Sequence, residues 1–374
     1  MKFTIDKNLF LEEFMIVQKA VASKSNFPAL AGVLIRCDEE GVTMMASNMD
    51  VSIKAEIDSS SVEIEKEGVC LVLGKVFGEI IKKLNGDNIE FELEEDNILR
   101  IQSGTSDITL NLLEVADYPK IKFSTVDQPI IIDSSLCKEI IKGTTFASSL
   151  IDNKPILTGV NIRIKENKLL AVATDSFRLS KKEAMLNGEY LDTNIIIPAK
   201  SLNEFYKIID DNEKDVEIHL EQNTILFKNG NIMFQARLLE GNYPETSRLI
   251  PISFPVVLKF DKDDILSAID RVSTLSYNPN ATTIVKMEID EKGNATLISS
   301  SPELGTIKDE IKPVEETEIN PMTISFSATY FSDALRAFYS TNVYVKFNGE
   351  AKPFIFEGEN DEGLIELVLP IKAD

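Results

Sequence analysis

Apolar positions along this chain recur with two periods. Spacings of three and four residues mark six amphipathic helices, at Leu9–Val21, Gly74–Leu84, Ser135–Ala147, Ala199–Ile209, Asp263–Ser276 and Ser327–Phe338. Phe10, Phe14, Val17 and Val21 share one face of the first; Leu202, Phe205, Tyr206 and Ile209 share one face of the fourth. Strict alternation marks strands. In Ile89-Glu90-Phe91-Glu92-Leu93-Glu94 and Val216-Glu217-Ile218-His219-Leu220-Glu221 every second side chain is apolar, so a sheet with one buried and one wet face is expected. Val343-Tyr344-Val345-Lys346-Phe347 follows the same rule loosely.

The helices form two interleaved series. One starts at 9, 135 and 263, the other at 74, 199 and 327, so each series steps by 125 to 128 residues. Each helix of the first series follows an apolar run and an Asp (Asp6, Asp133 and Asp261), which predicts an N-cap. Two copies end alike, in Leu112-Leu113-Glu114 with Tyr118-Pro119 and in Leu238-Leu239-Glu240 with Tyr243-Pro244. The third ends in Leu367-Val368-Leu369-Pro370. The chain therefore reads as three copies of a unit of about 125 residues, an ordinary domain size, with the pattern β-α-βββ-β-α-βββ. The expected domains are 1–121, 129–250 and 251–374, joined at Pro-marked linkers near Ile121–Pro129 and Ile250–Pro255. The fold class is α+β, with two helices packed on antiparallel sheets in each copy.

One stretch departs from the repeat. Ala173-Thr174-Asp175-Ser176-Phe177-Arg178-Leu179-Ser180 is turn chemistry between two strands. Its counterparts, Ala46–Asp50 and Ser299–Glu303, keep the polar turn but lack the Phe-Arg-Leu that follows.

The 374 residues carry a net charge of −22, which speaks against binding a polyanion. The distribution changes that picture. The six helix windows sum to +1, so strands and loops carry −23. A near-neutral, Lys-bearing helix surface opposite an acidic one could hold a polyanion on the helix side only. Solvated helix faces would look the same. Three scattered cysteines, Cys37, Cys70 and Cys137, fit a reducing compartment. No apolar leader or run of 18 apolar residues occurs, so a soluble cytoplasmic protein is expected, without a membrane.

Enzyme chemistry is not expected. There is no P-loop, GxGxxG, GxSxG, HExxH or zinc-ligand cluster, hence no catalytic residue, cofactor or metal. Asp175-Ser176 has no base beside it, and the single histidine, His219, alternates onto the wet face of its strand.

Taken together, the three-fold repeat, Phe27-Pro28-Ala29-Leu30, Ala173-Thr174-Asp175 with Arg178-Leu179, Tyr243-Pro244 with Arg248-Leu249, and Val368-Leu369-Pro370 make the chain resemble the bacterial DNA polymerase III β subunit family, the sliding clamps. The resemblance runs from Met1 to Ile371 and implies a head-to-tail homodimer closing into a ring. Helices would line the hole, which would hold double-stranded DNA by topology and without base readout. Matching positions imply DNA-facing Lys24 and, on the helices, Lys75, Lys82, Lys83, Lys138, Lys142, Lys200, Lys207, Arg271 and Arg336. They imply a dimer interface of Ile108 and Leu110 against Thr274 and Leu275; Thr274 stands where the family often carries a larger aliphatic residue. They also imply a partner-peptide pocket of Leu157, Thr174, Ser176, Phe177, Arg178, Leu179, Pro244, Arg248, Leu249, Leu367, Val368, Leu369, Pro370 and Ile371. Leu and Phe anchors of a peptide would fill it, its polar ends fixed by Arg and backbone groups. Phe177 replaces the family's frequent His there. The implied partners are the polymerase III catalytic subunit, the clamp loader and repair proteins carrying clamp-binding peptides. The alternative is a clamp-like peptide-binding scaffold that does not close on DNA.

Overall fold

The computed structural model describes residues 1–22, 27–151, 153–210, 212–275, 283–315 and 317–372, with Asp96 described by its backbone alone. In the first repeat β1 (Lys2–Asp6) leads into α1 (Lys7–Val17). Then come β2 (Gly32–Asp38), β3 (Gly41–Ser47), β4 (Val51–Asp58), β5 (Val62–Lys66) and β6 (Gly68–Leu73). Helix α2 (Gly74–Lys83) and β7 (Asn88–Glu94), β8 (Ile98–Ser103) and β9 (Ser106–Asn111) complete it. The second repeat runs β10 (Ile130–Asp133), α3 (Ser134–Thr144), β11 (Gly159–Lys165), β12 (Lys168–Thr174), β13 (Arg178–Met185) and β14 (Thr193–Pro198). It closes with α4 (Ala199–Tyr206), β15 (Asp215–Leu220), β16 (Thr224–Asn229) and β17 (Ile232–Arg237). The third runs β18 (Val256–Asp261), α5 (Lys262–Ser273), β19 (Ile284–Ile289), β20 (Ala295–Ser301), β21 (Gly305–Ile311) and β22 (Met322–Ser327). Then α6 (Ala328–Ala337), β23 (Asn342–Phe347), β24 (Phe354–Gly358) and β25 (Leu364–Val368) end the chain.

The second and third repeats follow the expected order. The first adds β5, whose alternating Val62-Glu63-Ile64-Glu65-Lys66 pairs with β1 at a sheet edge. All six helices stop short of their expected ends; after α1 and α3 the 3₁₀ turns Gln18–Ala20 and Thr145–Ala147 finish the apolar pattern. Asp6 accepts from the Asn8 and Leu9 N–H groups at 2.9 Å each. Asp261 does the same for Asp263 and Asp264 at 3.0 Å, and Asp133 accepts from Ser135 at 2.9 Å. The N-caps are therefore made as read from the sequence.

The sheets do not respect the repeats. Five strands, ordered β5-β1-β7-β8-β9, belong to the first repeat. The next sheet, β10-β15-β16-β17-β4-β3-β2-β6, joins half of the second repeat to half of the first through β17·β4. A third, β14-β11-β12-β13-β25-β24-β23-β18, joins the second and third repeats through β13·β25. The last, β21-β20-β19-β22, belongs to the third repeat. Accordingly the chain divides into two compact units, Met1–Cys137 with Glu204–Leu238 and Lys138–Asn203 with Leu239–Asp374. In each unit phenylalanines fill the space under the helices. Phe3, Phe10, Phe14, Phe77 and Phe91 cluster in one, with ring centroids as close as 4.8 Å; Phe326, Phe331, Phe354 and Phe356 do so in the other, at 4.4 Å and above.

The second face of the sheets is not simply wet. Ile121 packs on Ala29, Leu34, Leu71 and Tyr118, the Lys54 amine lies 5.6 Å from the Phe123 ring, and Val126 N–H donates to His219 Nδ1 at 3.0 Å. The linker thus lies on its own sheet, and His219 is buried, not exposed as its strand alternation predicts. Its Nε2 faces Glu217 at 3.4 Å. Among the described residues no helix is long and apolar enough to cross a membrane.

Candidate functional site

The turn between β12 and β13 is held by its own side chains. Asp175 Oδ1 accepts from the N–H groups of Phe177 (2.9 Å) and Arg178 (3.0 Å). Thr174 Oγ1 accepts from Ser176 N–H at 3.1 Å and donates to the Arg178 carbonyl at 2.6 Å. Ser176 takes φ +80, as Met49 takes φ +77 in the matching turn of the first repeat. This geometry is unfavourable for a side chain and persists because the turn over-determines it. Phe177 stands exposed and its ring faces Tyr330 at 6.5 Å.

From this turn the two faces of the sheet diverge by simple alternation. One face carries Thr174, Leu179 and Leu367 in a row, since Leu179 lies opposite both Thr174 and Leu367. Leu157, Val172 and Tyr243 are buried beside them, and Ile156, Leu170, Leu239, Ile250, Phe254, Ile365 and Leu369 pack around. Tyr243 Oη accepts from Thr174 N–H at 3.0 Å, and burial pushes its phenol up to about 12. Leu369 N–H donates to the Phe177 carbonyl at 3.0 Å, and Ile371 N–H to the Ser325 carbonyl at 2.7 Å, so the tail Leu369–Ile371 is strung between the turn and β22. Pro244, Arg248 and Leu249 are exposed on the loop that follows Tyr243. A hollow of about 250 Å³ adjoins, between Leu170, Val172 and Lys181 and the loop residues Thr246, Ser247, Ile250, Pro251 and Ile252.

Arg178 is not on that face. Its guanidinium points to the helix side, where Nε meets Asp175 at 3.0 Å and Nη1 meets Asp333 at 2.6 Å. It also lies 4.6 Å from the Tyr330 ring. The expectation for Arg178 was a side-chain contact to a bound peptide; in this structure its charge is met within the chain. Alternation sends residue 178 opposite to 179, and two carboxylates, one of them in the turn itself, satisfy its charge. Val368 also lies on the helix side, opposite Arg178 in the register. Val172 and Tyr243 were missed by the sequence reading. The repeated Tyr-Pro pair at 118 and 243 was the available signal for Tyr243.

The repeat explains why this face is built once. At the matching seam, β17·β4, the cross-strand pair corresponding to Leu179·Leu367 is Ser52·Gln235. Two leucines make an apolar floor where the other seam has a hydroxyl and an amide.

Of the expected cations, Lys75, Lys82 and Lys83 are exposed on α2, opposite its buried Phe77, Gly78 and Ile81. Lys200 and Lys207 are exposed, Lys207 near Glu204 at 2.9 Å, and Lys138 is half-buried. Lys142 sits 3.5 Å from the Tyr339 ring, and burial lowers its pKa. Arg271 pairs with Asp309, and Arg336 with Asp270 at 3.6 Å and Asp333 at 3.8 Å. Lys24 lies outside the described residues. Ile108 and Leu110 are half-buried on the edge strand β9, while Thr274 (exposed) and Leu275 (half-buried) follow α5.

Three tandem repeats that share sheets across their boundaries, with one unpartnered half-sheet at each end, define the DNA-clamp class of fold. Family models for the N-terminal, central and C-terminal domains of the DNA polymerase III beta subunit match residues 1–122, 131–245 and 247–372. The beta sliding clamp of Bacillus subtilis (strain 168) is 36% identical over 379 residues, covering 100% of both chains. Two crystal structures align over 100% of both chains with a TM-score of 0.94: the DNA polymerase sliding clamp of Bacillus subtilis, at 35% identity, and the DNA polymerase beta subunit of Streptococcus pyogenes, at 32%. The chain belongs to the DNA polymerase III β subunit family, the β sliding clamps.

Proposed function

We propose that this chain is a non-enzymatic DNA sliding clamp: two copies close head to tail around duplex DNA and hold the replicative polymerase on it. The observation that carries the reading is the arithmetic of the seams. Within the chain, the last strand of one repeat pairs with the fourth-in-line strand of the repeat before it, as β17·β4 and as β25·β13. The same rule leaves β9 without a partner at one end and β21 at the other. A second copy supplies each, β21 against β9, which removes both free edges. Ile108 and Leu110 then meet Thr274 and Leu275 beneath the joined sheet.

The domains of the ring are 1–121, 129–250 and 251–374. Helix cations, Lys75, Lys82 and Lys83 foremost, face the phosphates with weak, salt-sensitive contacts, and the acidic exterior repels DNA from the wrong side. The face of Leu157, Thr174, Leu179 and Leu367, rimmed by Ser176, Phe177, Pro244, Arg248, Leu249 and Leu369 to Ile371, takes apolar anchors of short peptides. Partners are the polymerase III catalytic subunit, the clamp loader and repair proteins, at the cytoplasmic nucleoid. The test is retention on DNA. After loading, the protein should stay on nicked circular DNA and be lost once the circle is linearised. Equal retention on both forms overturns the ring.

A further inference from the structure

Glu366 is buried within β25, between the pocket residues Leu367 and Ile365 in sequence and on the helix side of the sheet. It lies directly opposite Ser180 of β13. Its Oε1 is 2.8 Å from Ser180 Oγ, and the same Oγ makes a short hydrogen bond to the carbonyl of Gly143. Gly143 is in the last turn of α3, where carbonyls have no partner within the helix. A serine hydroxyl has one proton, and a carbonyl has none. With the Ser180 proton on Gly143 O, the proton between Ser180 and Glu366 belongs to the carboxyl. Among the described residues the cations near Glu366 are engaged by other groups, and the Arg178 charge only partly offsets the effect of burial on the carboxyl. On β13, Arg178 is engaged by Asp175 and Asp333 of α6, and Lys182 by Glu139 of α3 and the Glu362 carbonyl. Lys142 of α3 lies on Tyr339, and the β24 residue opposite Glu366 is Phe356. Burial also raises the Glu366 pKa well above the ordinary carboxylate range.

We propose that Glu366 is a positioning residue of the peptide pocket: its carboxyl proton, relayed through Ser180 to Gly143, ties β25 and β13 to the end of α3, and loss of that proton loosens the wall formed by Leu367 and Leu369. This rests on the pocket reading above. Ionisation would turn the Glu366–Ser180 contact into a carboxylate competing with Gly143 O for one proton, in a buried site whose nearest cations are already paired. Peptide affinity should therefore fall as pH rises, and an amide in place of the carboxyl should remove the dependence, since a Gln N–H donates to Ser180 at every pH.

The experiment uses the full chain and its E366Q variant, with a fluorescent peptide carrying Leu and Phe anchors as probe. Infrared spectra report the protonated carboxyl, and methyl NMR of Leu367 and Leu369 reports the wall without any peptide. Expected are a protonated-carboxyl band that persists above the ordinary carboxylate range and that E366Q lacks, Leu367 and Leu369 methyl shifts that move as this band titrates away in wild type only, and an affinity loss of about tenfold over the same interval in wild type only. Absence of the band, or methyls that move equally in E366Q, overturns the proposal. If the methyls move as expected but the peptide binds neither protein, the proton latch stands and the pocket reading fails.

Discussion

Thr109→Pro should open the proposed ring without unfolding the subunit. The β8–β9 hairpin closes at Ser103↔Ser106, and Leu112 N–H reaches the Asn97 carbonyl at 3.1 Å. Antiparallel pairing alternates, so Ser106, Ile108 and Leu110 bond to β8, while Asp107, Thr109 and Asn111 aim N–H and C=O at the free edge. The matching strand β17 obeys this rule: Arg237 N–H crosses to the Asp50 carbonyl at 3.1 Å, and Gln235, the counterpart of Thr109, faces Ser52 across the seam. Proline at 109 removes one edge N–H and sets its ring where the incoming strand must lie, yet takes nothing from the pairing with β8. A partner carbonyl left unpaired costs about 1–3 kcal/mol. Two seams per ring then make about 2–6 kcal/mol, or roughly 30-fold to 10⁴-fold in the dimer constant. Sedimentation velocity across nanomolar to micromolar concentrations reads this directly, with circular dichroism as the check on folding. A T109P protein that dimerises like wild type refutes the seam, and so does one that fails to fold, because β9 would then not be an edge. Leu110→Pro, by contrast, should damage the monomer, since its N–H bonds to β8.

Three further outcomes are expected. Replacing Leu179 and Leu367 with Ser and Gln, the pair found at the other seam, should weaken a Leu/Phe peptide by roughly 50-fold, at about 1–1.5 kcal/mol per lost apolar contact; unchanged fluorescence titration would count against the pocket floor. Lys82→Ala with Lys83→Ala should lower the slope of log affinity for linear duplex against log salt by about 2, and an unaltered slope would remove α2 from the DNA surface. Hydrogen bonds from Ser135 hold the Asp133 carboxyl below its ordinary range. Its stabilisation is thus present above the unfolded-state value and lost as pH falls through the folded one. The urea midpoint advantage over D133A should shrink in acid; a constant gap would mean that the cap acts through shape alone.

The helices and their Asp caps were legible because each is local, a cap residue and the helix it starts lying within a dozen residues; the repeat was legible because these local signals recur at a constant step. The seams were not. Nothing near Val51–Asp58 says that its partner is Ile232–Arg237, and only the register brings Leu179 to Leu367. His219 was misread because alternation names the face of a strand but not what later covers it, here Val126 of the linker. The partners of Arg178 were illegible for a related reason. A sheet covered on both sides can bury a charge on either, and Asp333, 155 residues away, decided which. Of the pocket, its turn, its floor and its tail were readable as a set only through resemblance to the family; Val172 and Tyr243 came from geometry.

If the proposed β9–β21 joint forms, its unlike edges have a consequence for assembly. A contact between two different surfaces carries no stop signal of its own: every subunit that uses one edge still offers the other. Such a joint ends only when the accumulated rotation returns to its start. The number of subunits is therefore set not by the strength of the joint but by the angle between successive repeats, fixed far from it at seams such as Ser52·Gln235 and Leu179·Leu367. A substitution that strains one of those seams by a few degrees would leave each joint as strong as before and yield open-ended filaments in place of closed rings.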